Sequence, residues 1–176
     1  MKKMMLSILL IVSLIGISGC AESNIGDLKI SAGDQEIKST TLSNTKLANA
    51  KSDLSSNAEA SGFEFAFEQD AVKNIQYLKN GEIITLDFGD SEPDNVSLED
   101  SVLNKSGAYQ FSSRETLEVP ITKKDGKYSF TIEKHMASSL SSFYEENKKD
   151  YRGFSITASW GEKEYRYAFV IQADAN

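Results

Sequence analysis

Apolar and polar positions alternate along most of the second half of this chain. In residues 151–160, Phe154, Ile156, Ala158 and Trp160 fall on one face, and in residues 164–173 Tyr165, Tyr167, Phe169 and Ile171 do the same. A period of two is the signature of a half-buried strand. The two runs meet across Gly161-Glu162-Lys163, a Gly-containing loop of hairpin length. Upstream, Leu117, Val119 and Ile121 alternate in 116–121, and Tyr128, Phe130 and Ile132 alternate in 127–133, around the Asp-Gly turn signal Asp125-Gly126. Pro120 cannot donate to a ladder, so its strand lies at an edge or ends there. Phe63, Phe65 and Phe67 predict a further strand, and 96–103 and 107–111 supply short ones. Asn80-Gly81 predicts a hairpin between 75–78 and 82–88, with Ile84, Leu86 and Phe88 facing inward, and Ala32-Gly33-Asp34 joins 27–31 to 35–39 as a first hairpin.

Two stretches break the alternation. Residues 40–61 are rich in Ser, Asn, Ala, Lys and Thr with scattered Leu42, Leu47 and Leu54, too little apolar surface to offset the entropy of ordering; they read as a polar loop or linker, with a helix through 46–54 as the alternative. Ser142-Phe143-Tyr144-Glu145 reads as a capping box. Glu145 and Glu146 in the first turn and Lys148 and Lys149 in the last complement the helix dipole, which predicts one short helix over 142–149. Together these elements predict a mainly β chain, an antiparallel β-sandwich with that one helix; a small β-barrel is the alternative, since periodicity does not separate the two.

The first twenty residues follow another rule. Lys2 and Lys3 precede an apolar run over 4–17, the layout of an export signal and too short to span a bilayer. Ile17-Ser18-Gly19-Cys20 resembles the lipobox of bacterial lipoproteins, with Ile17 where the family usually has Leu. The resemblance implies that 1–19 are removed and that Cys20 becomes the lipidated N-terminus, anchored to the bilayer by acyl chains such as palmitate on the extracytoplasmic face of the cell membrane; stable anchoring takes at least two such chains. Residues 20–26 then form the anchor and tether, and 27–176 form a single domain. Leu28-Lys29-Ile30 through Gly33-Asp34-Gln35-Glu36-Ile37, with 155–160 and Tyr167-Ala168-Phe169-Val170-Ile171 at the end, resemble the framing strands of small immunoglobulin-like lipoproteins of Gram-positive surfaces. That resemblance implies an Ig-like sandwich and no catalytic residues. It departs at Thr40-Thr41-Leu42, where such proteins carry a Tyr and a Trp.

Charge and chemistry narrow the function classes. Without Lys2 and Lys3, 17 basic residues face 26 acidic ones, a formal charge of about minus 9 that argues against nucleic acid as a partner. Cys20 is the only cysteine and His135 the only histidine, so a His/Cys metal cluster cannot be assembled, and no cofactor is expected. His135 reads as an ordinary residue at a strand end, since no Gly-x-Ser-x-Gly elbow accompanies it. Asp87, Asp90, Glu92, Asp94, Glu99 and Asp100 crowd 87–100. Asp87, Asp90 and Asp94 are the candidate metal ligands there, but the spacing is not that of an EF-hand and a solvated acidic loop is preferred. Trp160 reads as core or rim packing rather than a ligand-stacking platform. The expectation is a membrane-anchored envelope module that binds a protein or peptide and is not an enzyme; the alternative is an anchored hydrolase using the carboxylates of 87–100.

Overall fold

The computed structural model describes residues 27–42, 61–140 and 145–175. Its strands are β1 (Lys29–Ala32), β2 (Gln35–Ile37), β3 (Ser39–Leu42), β4 (Tyr77–Leu78), β5 (Ile83–Asp87), β6 (Asn95–Leu103), β7 (Leu117–Glu118), β8 (Thr122–Lys124), β9 (Lys127–Thr131), β10 (Lys149–Trp160) and β11 (Lys163–Asp174). One sheet has five strands in the order β2-β1-β5-β9-β8, and the other has six, β3-β11-β10-β6-β7 with β4 also on β11. Every pairing is antiparallel except β4 with β11. The two sheets stack without closing into a barrel. Within them, β1-β5-β9-β8 and β7-β6-β10-β11 reproduce the A-B-E-D and C′-C-F-G orders of immunoglobulin sandwiches.

Alternation places the core. Ile30, Ile84, Leu86 and Phe130 of the first sheet meet Leu98, Phe154, Ile156, Phe169 and Ile171 of the second, all nearly or wholly buried. Phe154 stacks on Phe169 with ring centroids 4.9 Å apart, and Phe130 lies 5.2 Å from Phe154. Burying each such ring contributes roughly 1.5–3 kcal/mol. The β10–β11 hairpin runs in unbroken register from Lys149↔Asp174 to Trp160↔Lys163, and the β1–β2 and β8–β9 hairpins turn at Gly33 and at Asp125-Gly126 as expected. The strand that meets β9 is Thr122–Lys124, however, while the expected 116–121 strand keeps only Leu117–Glu118, paired with β6 in the other sheet. At the last turn Asp125 and Gly126 both take positive φ, 51° and 76°, which matches the right-handed twist of the flanking strands.

The phenylalanine triplet does something else. Glu64–Phe67 is a 3₁₀ turn rather than a strand. Ser61 and Glu64 brace the entry to the turn: Glu64 Oε1 accepts from the Ser61 amide at 3.0 Å, and Ser61 Oγ accepts from the Phe63 amide at 3.2 Å. The turn delivers Phe63 to the outer face of β10, where Gly153 has no side chain; a Cβ there would sit 2.9 Å from the Phe63 ring and 2.8 Å from Leu103. Phe63, Ala66, Leu42 and Leu103 thereby bury Ala168 and Val170, the outward residues of β11, in a second small core. Two-sided burial of β11 overrode the local period-two pattern.

Other expectations also change. Asn80-Gly81 does turn the chain, with Gly81 at φ 94° and the Glu82 amide on the Lys79 carbonyl. It joins no hairpin, because β4 pairs in parallel with β11 while β5 enters the other sheet between β1 and β9. The strand expected at 96–103 starts one residue earlier and fills nine positions, whereas 107–111 contributes only a Leu103↔Tyr109 bridge. Residues 40–42 of the expected polar loop belong to strand β3 on β11, and 43–60 lie outside the described residues. The expected helix at 142–149 is not found over its described part: Asn147 has φ 59° and Lys149 already begins β10. Residues 142–144 lie outside the described residues.

Candidate functional site

The open side of the sandwich is created by Pro120. In the β8–β9 register Thr122 faces Ser129 and Lys124 faces Lys127, so one more step of the ladder would set Pro120 against Thr131. Proline has no N–H to give Thr131, and the chain leaves instead for the other sheet, where the Val119 amide donates to the Leu98 carbonyl at 2.8 Å. The two edges diverge around a cleft of about 450 Å³. Leu117, Val119 and Pro120 form one wall, Phe130 and Ile132 the other, with Arg152 at the floor.

Arg152 occupies an inward position of β10, in series with Phe154 and Ile156, and is 2% exposed. Its guanidinium donates from Nε to Asp100 Oδ1 at 2.9 Å, from Nη2 to Asp100 Oδ2, and from Nη1 to the Glu133 carbonyl at 3.0 Å. Asp100 is 3% exposed. A buried charge is tolerated only when paired and hydrogen-bonded, and this bidentate pair meets that condition. His135, also buried, accepts the Ala137 amide at Nδ1 at 3.1 Å, so its Nε2 carries the proton and donates to the Asp100 carbonyl at 3.2 Å. Both ring nitrogens are thus committed to backbone. His135 does not end a strand as expected: it lies in the segment between β9 and the 3₁₀ turn Met136–Leu140, and it is deeply buried. What the cleft offers chemically is static: a neutralised ion pair beneath apolar walls, with the carboxylates of Glu118 and Glu133 exposed near its mouth.

The acidic stretch is dispersed. Asp87 pairs with Lys127 at 2.8 Å and accepts the Gly89 amide, and these contacts hold its carboxyl below the ordinary carboxylate range. Glu92 pairs with Lys123, and Asp94 accepts the Gly161 amide at 2.6 Å, tying the loop before β6 to the β10–β11 turn. Asp90 is exposed. Among the described residues no group of three or more His, Cys, Asp or Glu side chains is placed to hold a metal ion, so Asp87, Asp90 and Asp94 are not brought together as ligands. Trp160 is half-buried at the rim: its indole N–H donates to the Ser91 carbonyl at 3.0 Å, and its ring meets Phe88 and Tyr165 edge-on, both at 5.6 Å. Tyr167, deeper in the same core, has its phenol pushed up to about 12 by burial, with smaller contributions from Tyr165 and Asp27. Cys20 lies outside the described residues.

The Asp100–Arg152 pair escaped the sequence reading because its members are far apart in sequence. One signal was present: Arg152 stands on the apolar face of an alternating strand, where a charge demands a buried partner. Fold and site together define a two-sheet β-sandwich with an open edge cleft over a buried ion pair. No protein-family model, curated protein or solved structure matches the chain.

Proposed function

We propose that this chain is a lipid-anchored binding module of the bacterial cell envelope, carried on the extracytoplasmic face of the membrane by acylated Cys20. The anchor rests on the charged, apolar and small-residue sequence that ends at Ile17-Ser18-Gly19-Cys20. Binding rather than catalysis rests on the cleft, whose buried ion pair is spent on internal contacts: Arg152 donates to Asp100 and to the Glu133 carbonyl.

The single observation that carries the reading is the placement of the cleft relative to the tether. β1 begins at Lys29 opposite Asp87, at the end of the sandwich that also holds the 161–162 turn, whereas the cleft flanks Thr131 and Glu133 at the other end. Eight residues separate Cys20 from Lys29, a reach of at most about 30 Å. An anchor at Cys20 would attach at the end of the sandwich opposite the cleft, which leaves the cleft open to envelope partners. The acidic balance of the mature chain speaks against nucleic acid as that partner. Metabolic labelling with an alkyne analogue of palmitate tests the anchor: label on the wild type and none on Cys20→Ala supports it, and equal label on both defeats it.

A further inference from the structure

The walls of the cleft are not equivalent, and β9 is the one with unused backbone. Ile132 exchanges hydrogen bonds with the β5 side, its amide donating to the Glu82 carbonyl at 2.9 Å and its carbonyl accepting the Gly81 amide at 2.8 Å. Backbone groups alternate in direction along an antiparallel strand, so Thr131 and Glu133 direct theirs to the opposite edge. Ser129 meets Thr122 of β8 on that edge. Beyond it β8 has ended at Thr122, short of Pro120, and among the described residues nothing pairs with the Thr131 amide, the Thr131 carbonyl or the Glu133 amide. Only the Glu133 carbonyl is engaged, by Arg152.

We infer that this edge is a strand-addition site for an extended peptide with one apolar side chain between basic ones. The spacing of the free groups specifies an extended backbone, since a strand presents matching donors and acceptors at every second residue. A residue paired with Thr131 and another paired with Glu133 leave the intervening one opposite Ile132, whose side chain faces inward. The side chain of that residue enters the cleft over Arg152 and against Val119 and Leu117. An apolar group suits it because Asp100 already neutralises Arg152. Basic neighbours suit the exposed Glu118 and Glu133, which outnumber the one exposed base lining the cleft, Lys134, and suit the net acidity of the chain. This inference rests on the binding-module reading and gives that module its ligand class.

The test uses the full-length protein in detergent micelles and the capped synthetic peptide Lys-Thr-Lys-Leu-Lys-Thr-Lys, with amide exchange read by NMR. In the free protein the Thr131 and Glu133 amides should exchange rapidly, and saturating peptide should slow both by about tenfold or more while leaving the Ile132 amide unchanged. N-methylation of the two lysines beside the leucine removes the donors that face β9 and should weaken binding about tenfold or more, whereas N-methylation of the leucine, whose amide points away, should not. Absence of protection at millimolar peptide, or equal loss from both methylations, overturns the inference. So does protection already present in the free protein, which would mean that the edge is filled by the chain itself or, if sedimentation reports a dimer, by a second copy. None of these failures touches the anchor, which the palmitate labelling reads separately.

Discussion

At the scale of single residues, the buried pair beneath the cleft is the most consequential feature. Arg152→Met strands the Asp100 carboxylate without its partner and is expected to cost about 3–5 kcal/mol. The double variant Asp100→Leu with Arg152→Met removes both charges and should recover most of that loss, because desolvating an ion pair roughly cancels its attraction. Urea unfolding of the two singles and the double gives the coupling directly; a double variant as unstable as the sum of its singles would contradict the pairing. Asp87, half-buried at the end of β5, makes a pH-dependent contribution. Its folded carboxyl is held below the ordinary value by Lys127 and the Gly89 amide, so the stability it adds is complete above the unfolded value of about 4 and disappears as pH falls through the lower folded one. Asp87→Asn should therefore cost up to about 1 kcal/mol at pH 7, with the gap to wild type narrowing below pH of about 4.

At the scale of elements, long alternating strands were legible and short ones were not. The runs of Phe154, Ile156 and Ala158 and of Tyr165, Tyr167 and Phe169 carry enough repeats to specify face and register, and they form β10 and β11 as expected. Phe63, Phe65 and Phe67 repeat just as cleanly yet enter a 3₁₀ turn, because hydrogen bonds among Ser61, Phe63 and Glu64 brace its start and because Gly153 opens a seat for one ring on the outside of β10. Gly153→Ala fills that seat and should destabilise the fold by about 1–3 kcal/mol, as overpacking does. Amides in 63–67 should lose exchange protection before those of β10; uniform loss would show that the outer layer is not held at this point. Pro120 is the converse case. Its missing N–H was readable as the end of a strand, but which neighbour it would have met, Thr131, appears only once the β8–β9 register is known.

At the scale of the whole molecule, the proposed anchor and the sandwich would divide the chain between address and recognition. Cys20→Ala is expected to move the protein from the membrane fraction to the soluble fraction, checked by immunoblot of fractionated cells; retention in the membrane would remove the anchor from the account. The local alternation of side chains determined by itself that the chain is mainly β and that 151–160 and 164–173 form a hairpin, since these depend on periodicity and turn residues. Only the tertiary structure decided that β4 leaves its neighbour β5 for the far sheet, that β11 is covered on both faces, and that Asp100 meets Arg152 beneath a cleft opened at Pro120. Those outcomes turn on which segments compete for the same apolar surface and the same free backbone groups, and such a competition is settled between residues far apart in sequence.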